Sequence, residues 1–376
     1  MKSLNMYLGS VIDNDDVHFE SLLDDDDIFY NPENDRKAVE NWIESNCNIK
    51  GKLTISDDLV VNCDGDVRIK NKTIESLTNG LFRWGVINKD FICSFCNNLT
   101  SLKGAPEHVG GSFYCKKCGK LISLEGAPKS VGEGFYCSGC ENLNTLKGGP
   151  EKVEKYFFCN DCNSLISLEG SPRVVNKDFY CMDCKKLKSL EGVPEKIKGH
   201  FICGGCVNLT SLEGAPKEVG RDFDCSYCNG LIDLKGAPKT VGGSFYCNNC
   251  DNLISLKGSP RKINHGFSCS MCENLTSLEG GPKEVKWHFK CRDCKSLTSL
   301  KGAPEEAGGF NCGFCDGLEN LEGAPRVVDA DFNCSDCKNL KTLNGAPKEV
   351  GGKLRCNNCS SLNISDSDYE KYRIVY

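Results

Sequence analysis

All but two of the chain's 28 cysteines occur in Cys-x-x-Cys pairs. The first members are Cys93, Cys115, Cys137, Cys159, Cys181, Cys203, Cys225, Cys247, Cys269, Cys291, Cys312, Cys334 and Cys356, and each is followed three residues later by a second cysteine. Two chemistries use this spacing. One pair is half of a tetrahedral zinc site, and two pairs complete it. The same pair suits thiol–disulfide exchange, provided that a thiol is exposed and its pKa is lowered. Thirteen is an odd number, so the pairs cannot all be shared two by two. The five histidines, His18, His108, His200, His265 and His288, hold no common position relative to the pairs. No nucleophile, base and acid recur together, and the GGSF and GEGF segments do not precede a phosphate-binding helix. The expectation is a protein that is not an enzyme and carries no cofactor.

The elements that must position these thiols are read from the repeat. Successive first cysteines lie 22 residues apart, except Cys291 to Cys312, which is 21. The skeleton F-x-C-x-x-C-x-x-L-x-x-L-x-G-x-P-x-x-V recurs from Phe91 onward. A fixed period of this length builds a solenoid, in which each unit packs only on its neighbours. Side chains alternate along a strand, so Phe113 and Cys115 face inward and Tyr114 outward. Leu121 and Leu124 return to the core at three-residue spacing. Gly126, Ala127 and Pro128 form a bend, because proline fixes φ and donates no hydrogen bond. Val131 turns inward again before Gly132 and Gly134 allow a tight return. Both cysteines therefore fill inward positions. That favours structural thiol ladders; a zinc-binding cysteine array remains the alternative, since adjacent strands lie about 4.8 Å apart and neighbouring pairs could share an ion.

Read from its valine, the run Val109-x-x-x-Phe113-x-Cys115-x-x-Cys118-x-x-Leu121 resembles the leucine-rich repeat pattern, with one extra residue before Phe113. The resemblance covers about residues 50–362. It implies a mainly β solenoid with one parallel sheet on a concave face. It also implies that Cys118 takes the place of the ladder asparagine or cysteine that caps backbone carbonyls. The S-L-E-G-A-P wording is similar to repeat proteins of tailed phages and their bacterial hosts, which implies a phage virion-associated or host-directed interaction protein as a further alternative. The fold serves many unrelated partners, so the resemblance says little about function.

Composition narrows the classes. Residues 1–40 hold 3 basic and 11 acidic residues, a net charge of −8, whereas the remainder carries +2. A nearly neutral solenoid gives no electrostatic case for nucleic acid. No apolar run is long enough to span a membrane. The first ten residues lack a continuous apolar core and lead into acidic sequence, a poor secretory signal. Reduced thiols in a cytoplasm are therefore expected, in a host cell or in a virion if the chain is phage-encoded. Four segments follow: a flexible acidic leader over residues 1–33, a cap helix with irregular coils over 34–90, regular repeats over 91–362 and a C-terminal cap over 363–376. Asn34 or Asp35 is placed as the cap of a helix near 36–46, with Val39, Trp42 and Ile43 on one face. Residues 2–12 have helical spacing but read as a frayed terminus.

The informative positions are the outward ones that the fold leaves free. The residue between the phenylalanine and the first cysteine reads Ile92, Tyr114, Tyr136, Phe158, Tyr180, Ile202, Asp224, Tyr246, Ser268, Lys290, Asn311, Asn333 and Arg355. The first six are large and apolar, and the last five are polar or charged. Aromatic residues suit strands in general, but that does not explain their segregation. Contiguous exposed apolar surface marks interaction sites. A protein partner is therefore expected on Ile92, Tyr114, Tyr136, Phe158, Tyr180, Ile202 and Tyr246, with no small-molecule substrate and a monomeric chain.

Overall fold

A computed structural model of the protein describes residues 32–375, so most of the acidic leader lies outside the described residues. The first element is a helix, α1, spanning Pro32–Asn46. It starts earlier than the expected cap at Asn34 or Asp35, which fall within it. Pro32 presets the helical φ where no N–H is needed. Glu33 and Asp35 then sit in the first turn, where negative charge favours the helix dipole. Val39 and Ile43 are buried against the first coils.

From there the chain winds as a mainly β solenoid. Each regular coil contributes two short parallel strands. One carries the phenylalanine, as in Phe113–Tyr114 pairing in register with Phe135–Tyr136. The other carries the valine, as in Ser130–Val131 pairing with Lys152–Val153. The valine ladder is an addition to the single sheet expected from the skeleton. It arises because the valine is an inward anchor with a β-branched side chain, and its neighbours in adjacent coils are held in the same register. The corner between the two ladders is Gly132 and its equivalents. Only in Glu284–Lys290 and Glu306–Asn311 does one strand run continuously through it.

Inside, the repeat produces columns. From Phe91 to Phe332 the phenylalanine rings of adjacent coils lie 5.0–5.6 Å apart. The spacing follows the strand separation of about 4.8 Å. Leu354 ends the column. At the other end it continues through Trp84 and Phe82 to Trp42 on α1, each ring edge-on to the next. The N-terminal cap is thereby joined to the core by the same kind of contact that holds the coils together.

The bend of each coil explains one invariant residue within the chain. Ala127 N–H donates to Leu124 O at 2.9 Å, and Gly126 between them has φ +86°. A turn of this type needs glycine at its third position. A Cβ on Gly126 would also lie 2.4 Å from the backbone nitrogen of Lys103 in the preceding coil. At the C-terminal end a second helix, α2 (Asp366–Lys371), is opened by a capping box between Ser365 and Asp368. Tyr372 is buried and donates its hydroxyl to Pro347 O at 2.7 Å, and Ile374–Val375 pairs with Leu354–Arg355. Neither described helix is long and apolar enough to cross a membrane.

Candidate functional site

The thiols come first, since their spacing suggested chemistry. In twelve successive coils, from Cys118 to Cys359, the second cysteine donates its S–H to the carbonyl of the first cysteine of the preceding coil, at 3.1–3.3 Å. That carbonyl points into the core at the strand end and would otherwise be an orphan acceptor. Burial pushes the thiols of Cys93, Cys115, Cys181 and Cys247 well above the ordinary range. Near the ends of the solenoid the push is smaller, and burial raises Cys96 and Cys356 to about 11. All of these thiols are neutral at physiological pH, the state that donates a hydrogen bond. Among the described residues no three His, Cys, Asp or Glu side chains converge on a point that could hold a metal ion. What the geometry supports is carbonyl capping.

The outward row lies on the phenylalanine ladder. Ile92, Tyr114, Tyr136, Phe158, Tyr180, Ile202, Asp224 and Tyr246 are partners in turn across seven in-register pairings. All are half-buried, because each is flanked by its neighbours in the row. Tyr114 stacks on Tyr136 at 4.7 Å and Phe158 on Tyr180 at 4.6 Å, with Tyr136 edge-on to Phe158 between them. The Lys116 ammonium sits 4.6 Å above the Tyr136 ring. Burial, with Tyr114, Tyr156 and the carboxylates of Glu133 and Asp90 nearby, pushes the Tyr136 phenol up to about 12. Burial and Asp178 also raise Tyr180. From Tyr114 to Tyr180 the row is thus an unbroken run of aromatic rings in contact.

The same row behaves differently further on. Asp224, Asn311 and Asn333 turn their side chains back to accept the N–H two residues ahead, at 2.8–3.0 Å. Ser268 is buried and donates to Asn248 Oδ1 at 2.5 Å. Arg355 is held by Asp331 at 3.0 Å.

Where the two kinds of row meet there is a groove of about 720 Å³. Ile202, Asp224 and Tyr246 lie along one side of it, and Met182, Val207, Tyr227 and Met271 give it apolar walls. The space exists because one coil places Gly204 and Gly205 where its neighbours carry Met182, Asp183, Ser226 and Tyr227. Tyr246, isolated in the sequence row by Asp224, is therefore joined to Ile202 through this groove.

One set of positions escaped the reading of the sequence. The residue before each second cysteine is left-handed in all thirteen coils, with φ between 52° and 75°. Eight of the thirteen are Gly, Asn or Asp, the residues that tolerate this conformation; that composition was the available signal. Phe95, Tyr227, Met271 and Phe314 occupy the same strained position and are exposed. Tyr227 and Met271 are walls of the groove.

No family model matches the chain, and no curated protein does. Among solved structures the chain is similar to a leucine-rich repeat protein from Bacteroides ovatus ATCC 8483, at 15% identity over 85% of this chain and 98% of that one, with a TM-score of 0.37.

Proposed function

We propose that the chain is a non-enzymatic scaffold that binds a protein partner through the aromatic row and the groove at its end. One observation carries this reading. Six consecutive outward positions, Ile92 to Ile202, are large and apolar, although the same backbone in later coils holds Ser268, Lys290, Asn311 and Asn333. The core does not require aromatics there. Stacked rings held in register lose little conformational freedom on binding, which favours them as anchors. The groove adds a recess for one apolar side chain of the partner. The buried neutral thiols fit a reducing compartment, and a cytoplasmic setting belongs to the same proposal.

The test compares two double variants of the full chain in a quantitative pull-down followed by titration of the captured partner. Tyr136→Ser with Phe158→Ser is expected to cost about 1 kcal/mol of stability from lost cross-strand contacts. It should cost about 2 kcal/mol or more of partner affinity. Asn311→Ser with Asn333→Ser should leave binding nearly unchanged. Equal weakening by both sets, or unfolding of the first, would show that the aromatics serve the fold.

A further inference from the structure

The one break in the 22-residue period leaves a mark on the surface. Strand Glu284–Lys290 pairs with Glu306–Asn311 at Val285↔Ala307 and then at His288↔Gly309. Lys286 and Trp287 therefore lie together opposite the single residue Gly308. Two residues against one form a β-bulge, a device that re-aims a side chain. Trp287 stands in this bulge, points outward as His265 does one coil earlier, and is 58% exposed. The other two tryptophans, Trp42 and Trp84, are committed to the aromatic column.

Trp287 is exposed but held. One face of its ring stacks on His265 of the preceding coil, with centroids 4.7 Å apart and planes within 10°. On the opposite side the next coil offers Gly308. A Cβ there would lie 2.6 Å from the carbonyl oxygens of Lys286 and Trp287, so the close approach of the short coil keeps this position bare. The second indole face thus looks into a cavity of about 670 Å³, within the range of ligand pockets.

The groups around the cavity decide what it fits. Its lining includes Lys283, Lys286, Glu284, Glu305, Glu306 and Asp329. Glu284 is neutralised by Lys262 at 2.7 Å and Glu306 by Arg326 at 2.8 Å. That leaves two ammonium donors, Lys283 and Lys286, facing two carboxylate acceptors, Glu305 and Asp329, with no net charge. A cationic or anionic ligand gains nothing overall from such a rim. A pyranose ring matches it: one face of C–H groups covers the positive-edged, negative-faced aromatic ring, and hydroxyls both donate and accept.

We propose that the open face of Trp287, with Lys283, Lys286, Glu305 and Asp329 around it, binds a neutral sugar ring such as the end of a glycan. The site is separate from the aromatic row and does not depend on it.

Saturation-transfer NMR on the full chain tests this with four neutral trisaccharides ending in glucose, galactose, mannose or N-acetylglucosamine, and with a blocked arginine amide. At least one trisaccharide should bind with a dissociation constant below about 10 mM, worth only a few kcal/mol. Trp287→Ala should weaken it at least about tenfold and Trp287→Phe less, the latter guarding against a loss of fold. Glu305→Gln with Asp329→Asn should weaken it several-fold, and Tyr136→Ser with Phe158→Ser should leave it unchanged. The proposal is overturned if none of the four binds, if binding survives Trp287→Ala, or if the arginine amide binds Trp287 and the sugars do not.

Discussion

The coils from Ile92 to Ile202 and those from Ser268 to Arg355 share one interior and differ in what they show to solvent. Cys140 and Cys294, one from each half, cap the preceding coil at the same 3.1 Å. Phe157 and Phe289 are both fully buried, each between two rings. Outward, one half presents stacked aromatics, while in the other Asn311 and Asn333 fold back onto their own backbone. The polar side chains there are engaged in local hydrogen bonds, as short amide side chains readily are. The comparison shows that the core specifies the solenoid without using the outward row. The row therefore differs along the chain while the interior does not.

The strongest way to probe the common interior is alkali. The folded thiols are raised above the unfolded value of about 8.5, so their contribution to stability is fully present below it and is lost as pH rises. Each buried thiol that stays protonated while its unfolded counterpart ionises costs about 1.4 kcal/mol per pH unit. Urea midpoints should fall steeply between about pH 9 and 10.5, and hydrogen exchange should show both halves affected alike. Protection lost in one half alone would mean that the two interiors are not equivalent. Next in size, Phe157→Ala and Phe289→Ala should each destabilise by about 3–5 kcal/mol, with closely similar shifts in chemical denaturation. A large disagreement between them would break the comparison. Cys140→Ala and Cys294→Ala should each cost about 1–3 kcal/mol, because a buried carbonyl loses its donor; serine at either site should recover part of it. The smallest effect separates the halves. In an ultraviolet titration stopped short of the alkaline unfolding, the raised phenol of Tyr136 should contribute no phenolate, so Tyr136→Phe should leave the absorbance change of the folded chain as it was. A smaller absorbance change in the folded Tyr136→Phe chain would mean that the row is looser and more solvated than its stacked geometry.

The interior follows from the repeat alone. A repeat that returns phenylalanine, two cysteines, two leucines and a valine every 22 residues leaves few choices, because a strand alternates its faces and a stacked coil must present the same residue to the same neighbour. The glycine of each bend was legible as a turn residue; its second reason, the approach of the preceding coil's backbone, was not. The segregation of Ile92 to Ile202 from the later polar row could be read directly once in-register stacking was assumed. Tertiary structure decided what depends on contacts between coils. The valine positions became a second strand ladder only because neighbouring coils supplied partners. From Cys118 onward each second cysteine found its acceptor 24 or 25 residues back, a distance no local pattern reveals. The helix began at Pro32 because proline and two acidic residues suit a first turn better than the cap assumed for Asn34 or Asp35. The missing residue before Cys312 was visible as a shorter spacing, but only pairing across the coils converted it into a bulge that sets Lys286 and Trp287 against the single Gly308. Local spacing sets which way a side chain points; what it meets there is set by the next turn of the chain.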